Sequence, residues 1–404
     1  MRCTCRLALA VVWPLVALVA PPAGAVVRSM FITSDALSVP GSLGTADAIC
    51  QARATTAGLS DPQDYRAWLS TSTTDAYCHV QDLAGKRANN CGQASLPTAA
   101  GPWQQVDGHN FGADIVHLLA PDRQVYLPPT VDENGDEVHD LVWTGTDENG
   151  VAGDTCLDWT TSSGTQYAIV GYSPATGSKW TDLQSSSCSG ARHLLCFQVG
   201  AGDPLPSVCH WGRLAFVSSQ VGPGDFSMWA ASGGQTGLAG GNTICRTLAA
   251  AAGLANVDSF KAWLSNGGND AKDRFTDGPW IRLDRIRFAP DLAALTGGLG
   301  TYVNAPLNLT ETGQYLGDVS AWTATDHDGT LNTPFGHCNN WSDMSDYSTV
   351  GDSEYTSSLW TYNESGIGIS CGLDQHLYCL QDLPLIFGDG FECGSTDTWS
   401  WVVP

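Results

Sequence analysis

The chain has 404 residues, 41 acidic against 18 basic, and a net charge of −23; that length suffices for two or three domains, each with its own core. A surface this acidic repels DNA, RNA, heparin-like polyanions and anionic membranes, which removes nucleic acid as a partner class.

Residues 1–25 read as an export signal. Arg2 and Arg6 precede an apolar run over 7–20, and Ala23-Gly24-Ala25 offers the small-x-small pattern of a cleavage site. The run is short for a membrane span and no other stretch approaches spanning length. The expectation is a secreted, extracellular or cell-surface protein with no transmembrane segment. Cleavage would remove Cys3 and Cys5 from the 14 cysteines and leave an even set. An even set in an exported chain points to disulfides, and the absence of any C-x-x-C pair argues against zinc or thioredoxin-like chemistry.

The chain repeats itself. Cys50, Cys156, Cys188 and Cys196 are 106, 32 and 8 residues apart, while Cys245, Cys338, Cys371 and Cys379 are 93, 33 and 8 apart. Ala67-Trp68-Leu69-Ser70 matches Ala262-Trp263-Leu264-Ser265, and Gly101-Pro102-Trp103 matches Gly278-Pro279-Trp280. Trp143-Thr144-Gly145-Thr146-Asp147 matches Trp322-Thr323-Ala324-Thr325-Asp326, and tryptophan follows three residues after Cys156 and after Cys338. So many fixed offsets identify a tandem duplication. The first copy carries an insertion with Cys78 and Cys91, which most simply pair with each other. Cys209 and Cys393 flank the second copy and are left to pair across its ends.

Each copy is expected to open with a short strand, over 26–33 and 214–218. A helix follows with Thr45 or Asn242 as N-cap, its apolar face including Ala46, Cys50 and Ala54, or Cys245, Leu248 and Ala249. Gly58 and Gly253 suit a left-handed stop. A second short helix is expected to carry Trp68 or Trp263, and short strands separated by Gly, Asp, Asn and Ser turns should fill the rest. The resulting organisation is a first domain at 26–198, a Gly/Pro linker at 199–208, a second domain at 209–381 and a tail at 382–404.

The segments 46–50, 58–59 and 65–70, then 142–150 with Cys156 and Trp159, then 187–197, resemble the endostatin domain, a member of the C-type-lectin-like superfamily; the second copy matches at the same places. The resemblance implies an α+β fold with nested disulfides in two tandem domains: Cys50–Cys196, Cys156–Cys188, Cys245–Cys379 and Cys338–Cys371. It does not extend to the ligand motifs. The Glu-Pro-Asn, Gln-Pro-Asp and Trp-Asn-Asp calcium motifs of sugar-binding lectins are absent, with Trp180-Thr181-Asp182 only an outline of the last. Endostatin's histidine-rich zinc terminus and basic heparin surface are absent too. The segment 385–394 resembles a short tail carried by many exported bacterial proteins, which implies a Gram-negative host.

Three groups of residues are weighed as sites. Acidic Asp/Asn-Gly loops with Asp132, Asp136, Asp147, Asp326 and Asp328 offer oxygen ligands for calcium, yet the same residues serve tight turns. Lys272, Arg274, Arg282, Arg285 and Arg287 concentrate positive charge and either meet an anionic ligand or form a solvated edge strand. Gly368-Ile369-Ser370-Cys371-Gly372 matches a nucleophile elbow formally, but Cys371 belongs to the cysteine framework. The reading is a non-enzymatic binding or adhesion protein for a carbohydrate or protein ligand, without an obligate cofactor. Its ligand would be held by the variable loops between Cys78 and Cys156 and between Lys272 and Cys338. A structural surface component and a secreted enzyme on the same fold are the alternatives. Opposite charge in the acidic loop 132–140 and the basic cluster 272–287 suggests either two ligands or electrostatic docking of one copy on the other.

Overall fold

A computed structural model describes residues 26–119, 121–363 and 368–382; the expected signal segment, the tail signature and Cys393 lie outside them. Each copy builds one mixed sheet with a long helix against it, an α+β arrangement. In the first sheet Arg28–Ile32 runs antiparallel to His193–Gln198, with Phe31 opposite Cys196. In the second, Arg213–Val217 runs antiparallel to His376–Gln381, with Phe216 opposite Cys379. The first and last strands of each copy are thus neighbours. Beyond the opening strand lie Trp103–Gln105 and Asn110–Gly112, or Trp280–Ile281 and Arg287–Ala289; beyond the closing strand lies Leu141–Trp143 or Ser320–Trp322.

The helices are Leu43–Thr56 and Gly237–Ala251, both beginning earlier than the capping pattern suggests. Ser42, not Thr45, caps the first, its Oγ accepting the Thr45 N–H. Asn242 lies inside the second helix, where its Oδ1 accepts the Ala262 N–H, as Asp47 Oδ1 accepts the Ala67 N–H. The glycine-rich start Gly237-Leu238-Ala239-Gly240-Gly241 hides this helix because glycine is a poor helix former. Gly58 and Gly253 both have φ of 71° at the helix ends. The expected helix around Trp68 and Trp263 is instead a strand, Tyr65–Ala67 or Phe260–Ala262, paired antiparallel with the closing strand. The tryptophan N–H continues that pairing, to Leu195 O at 2.8 Å and Tyr378 O at 2.9 Å.

Among the described residues five disulfides join Cys50–Cys196, Cys156–Cys188, Cys78–Cys91, Cys245–Cys379 and Cys338–Cys371. Cys209 is disulfide-bonded as well. The long bridges fasten the helix to the closing strand across separations of 146 and 134 residues. By the loop-entropy relation each constrains the unfolded chain by about 5 kcal/mol. Around them two matching sets of five tryptophans are buried, Trp68, Trp103, Trp143, Trp159 and Trp180 with Trp263, Trp280, Trp322, Trp341 and Trp360. In four of the five pairs the indole N–H groups find matching acceptors, whereas the Trp180 indole N–H is buried without one. Trp68 and Trp263 donate to Thr181 and Thr361 Oγ1, Trp103 and Trp280 to the Gln198 and Gln381 carbonyls, Trp159 and Trp341 to the Ser70 and Ser265 carbonyls. These rings are core, not an exposed carbohydrate platform.

A turn that the sequence does not announce follows the second cysteine of each repeat. Cys156, Leu157, Asp158 and Trp159 have φ of 50°, 52°, 55° and 66°, and Cys338, Asn339, Asn340 and Trp341 have 50°, 48°, 59° and 64°. Four consecutive non-glycine residues in the left-handed region cost about 1–2 kcal/mol each. The disulfide and the buried indole hold the two ends. Between them the Asp158 carboxylate accepts the Ser72 N–H and Oγ–H, and Asn340 Oδ1 accepts the Gly267 N–H. Leu157 is 62% exposed. Leu157→Gly is therefore expected to raise stability by roughly 0.5–1 kcal/mol in urea unfolding of the oxidised chain; the usual loss for an exposed Leu→Gly change would contradict the left-handed assignment.

Candidate functional site

The two copies meet through equivalent segments, 173–181 and 353–361. Ala175 and Tyr355, which occupy the same place in the repeat, form an antiparallel bridge. Thr176 N–H donates to Glu354 O at 2.8 Å and Thr356 N–H donates to Pro174 O at 3.0 Å. Each copy thus offers the same backbone groups to the other, the isologous geometry of a two-fold dimer built within one chain. Lys179 and Asp318 form an ion pair at 2.8 Å across the junction, and the rings of Tyr172 and Tyr355 lie 6.1 Å apart. Backbone hydrogen bonds, aromatic contacts and this ion pair join the copies; Lys179 and Asp318 belong to neither the acidic loop 132–140 nor the basic cluster 272–287.

Pseudo-symmetry makes the two sides of the junction directly comparable, and they differ. Matching backbone bonds pair Gln105 with Arg282 and Tyr126 with Asn304; matching bridges pair Glu137 with Tyr315. On one side Tyr126 and Tyr315 pack ring to ring at 6.0 Å, and Arg282, fully buried, fills the space beneath with Asp284. On the other side the equivalent positions hold Asn304, Glu137, Gln105 and Asp107, and the space is open. It forms a cleft of about 310 Å³ between the copies, with His139, Tyr302 and Arg287 on its walls and the linker residues 206–208 and His210 along one edge.

Loops from both variable regions therefore supply one site. The His139 imidazole lies on the Tyr302 ring at 3.7 Å, one from each copy. Burial lowers the pKa of His139 and of His210, so both are neutral near pH 7. His109 Nδ1 and Asp107 Oδ2 are 2.6 Å apart; that hydrogen bond raises the histidine, while burial pushes the aspartate up and is outweighed only by the side-chain and backbone hydrogen bonds and the His109 charge together, which leave it lowered.

The five basic residues singled out in the sequence do not form one patch. Arg274 is an internal strut, donating to the carbonyls of Ala262 and Leu264 and to Asn242 Oδ1; burial lowers its pKa to about 10, still charged at neutral pH. Arg282 is locked in the plugged side, Lys272 lies beside Gly329 with its N–H bonded to the Gly329 carbonyl, and Arg285 forms the turn whose carbonyl accepts the His210 N–H. Arg287 alone of the five reaches the cleft. The calcium candidates are also dispersed. Asp132 Oδ1 accepts the Asn134 and Asp136 N–H groups, Asp147 Oδ1 those of Asn149 and Val151, and Asp328 Oδ1 that of Thr330, the bonding of tight turns. Asp326 bonds to the His327 N–H. Among the described residues no three His, Cys, Asp or Glu side chains are grouped to hold a metal ion. Ser370 ends a two-residue strand paired with Tyr347–Ser348, not a strand-to-helix turn. Gln105, Asp107, Tyr302 and Asn304 were not singled out from sequence, and Glu137 only as part of the acidic loop 132–140. Aligning the copies and asking where a large aromatic or arginine in one faces a short polar residue in the other would have found three of them.

Compared with known proteins, the chain matches no family model and no curated sequence. Among the described residues no helix is long and apolar enough to cross a membrane, and the disulfides fit an oxidising compartment.

The junction itself carries a buried acid. The Glu354 carboxyl accepts the Ser178 N–H at 2.8 Å and the Ser178 hydroxyl at 3.1 Å. Gly177 makes this possible, having φ of 59° and standing where a Cβ would fall 1.6 Å from Glu354 Oε1. Burial raises the Glu354 pKa to about 8, and Asp318 and Asp352 add to the rise against the Ser178 N–H and Lys179; burial and Asp318 likewise raise Asp352 to about 6. Both acids bind protons more tightly folded than unfolded. Their contribution is complete below the ordinary carboxyl range and is lost as pH rises through about 6 and then about 8. The melting temperature of the full chain is expected to fall by roughly 5 °C or more between pH 5 and pH 8, and Glu354→Gln should flatten most of that slope. An unchanged slope in Glu354→Gln would remove this carboxyl as its cause.

Proposed function

We propose that the chain is a secreted, non-enzymatic binding protein made of two endostatin-like domains of the C-type-lectin-like superfamily, and that it recognises an extracellular carbohydrate or protein ligand in the cleft between them. The family reading draws on the doubled cysteine spacing, the nested disulfides and the adjacency of first and last strands in each copy. The observation that carries the functional reading is the cleft, where loops of both copies converge and side chains replace a plug found at the pseudo-equivalent position. Its walls combine an aromatic face, imidazoles, amides and charges of both signs, which suits a polar ligand held by stacking and directed hydrogen bonds.

The test is a panel of immobilised glycans and peptides probed with the full chain and with Asn304→Trp, which fills the cleft from an exposed position. Leu373→Ala, at an exposed position that is not on the cleft's lining, serves as control. A ligand retained by wild type and by the control, and weakened at least about tenfold by Asn304→Trp, is the expected result. Equal binding of every captured ligand to Asn304→Trp would place recognition elsewhere.

A further inference from the structure

The plugged side of the junction describes what the open side lacks. Arg282 places its guanidinium among five acceptor contacts: Nε to Asp284 Oδ1 at 3.2 Å, Nη2 to Asp284 Oδ2 at 2.6 Å and to the Tyr315 hydroxyl at 3.1 Å, and Nη1 to the Pro306 carbonyl and Asn308 Oδ1, both at 3.0 Å. Burial alone would lower the arginine's pKa, but Asp284 overrides it and holds the group charged. This is a complete guanidinium cage, fork against carboxylate with the remaining N–H groups satisfied.

Every acceptor of that cage has a counterpart in the first copy. Asp107 stands for Asp284, Pro128 for Pro306, Thr130 for Asn308 and Glu137 for Tyr315, and all four line the cleft. The guanidinium does not: its position is taken by Gln105, which is shorter and whose Oε1 is already committed to the Val131 N–H at 3.0 Å. Glu137 in place of a tyrosine hydroxyl adds a second carboxylate. Arg287 is on the lining as well, but His139 and His210 are neutral near pH 7, so two carboxylates face one arginine and the His109 that shares Asp107.

We propose that the cleft binds a guanidinium cation, presented as the arginine side chain of a peptide or protein ligand, with Asp107 and Glu137 as its carboxylate partners and the Pro128 carbonyl and Thr130 hydroxyl completing the cage. The assignment rests on the cleft being the ligand site and names the group it takes. The Tyr302 and His139 rings at the wall offer faces on which the planar cation stacks. On acidification His109, 2.6 Å from Asp107 Oδ2, and His139, 3.5 Å from Glu137 Oε2, gain charge and compete for the two carboxylates, so binding weakens.

N-acetyl-arginine methylamide is titrated into the full oxidised chain at neutral pH and low salt, by calorimetry and ligand-observed NMR, with the citrulline analogue as the neutral isostere. Saturable arginine binding at least about tenfold tighter than citrulline is expected. Gln105→Arg, which supplies the missing guanidinium internally, and Asp107→Asn, at a partly exposed position, should each weaken it by at least about tenfold. Melting curves identify which of the two variants remains folded, and one folded variant is sufficient to read. Absence of saturable binding to wild type, an equal response to citrulline, or undiminished binding by a folded variant overturns the proposal. If arginine does not bind but a ligand from the panel is lost in Asn304→Trp, the guanidinium assignment alone fails and the cleft remains the ligand site.

Discussion

The short antiparallel contact of Ala175 with Tyr355 governs the molecule above the level of a single copy. It pairs equivalent residues, so it imposes a pseudo-two-fold relation on everything around it, and it does so with backbone groups that do not depend on side-chain identity. Side chains on either flank are then free to diverge. One flank closed over Tyr126, Tyr315 and the Arg282–Asp284 pair, while the other kept a cavity. The buried Glu354 and the glycine that admits it lock the contact, with the Lys179–Asp318 ion pair beside them.

Within each copy the organisation was largely readable from the chain, because covalent and steric requirements leave marks at fixed offsets. Cysteines recur where the helix must be fastened to the closing strand, glycines where helices end with positive φ, tryptophans where the core needs bulk. What could not be read has a common physical cause. The Tyr65–Ala67 strand is three residues long and defined only by its partner, and the helix at Gly237 begins in glycines that local propensity disfavours. The left-handed turns at Cys156 and Cys338 contain none of the glycines that normally mark such backbone; tertiary tethers impose them.

The site was legible only in outline. The variable loops are recognisable by their difference between copies, yet the run of basic residues in the second is a poor guide, since four of the five are structural or peripheral to the cleft. Charge density along a sequence does not predict charge density in space when an arginine such as Arg274 or Arg282 is consumed by buried carbonyls. Position-by-position contrast between Gln105 and Arg282, or Glu137 and Tyr315, carries more information, since each pair shares one backbone environment and differs only in what it does there.

Linking the two halves in one polypeptide has a further effect on symmetry. An assembly of two identical chains joined by the Ala175–Tyr355 contact would have to repeat itself, with both flanks plugged or both open. A fused pair escapes that restriction, so one flank of this chain is plugged while the other is open, and the surface that joins its halves is already occupied. Growth into a filament through that surface is closed off by the covalent link.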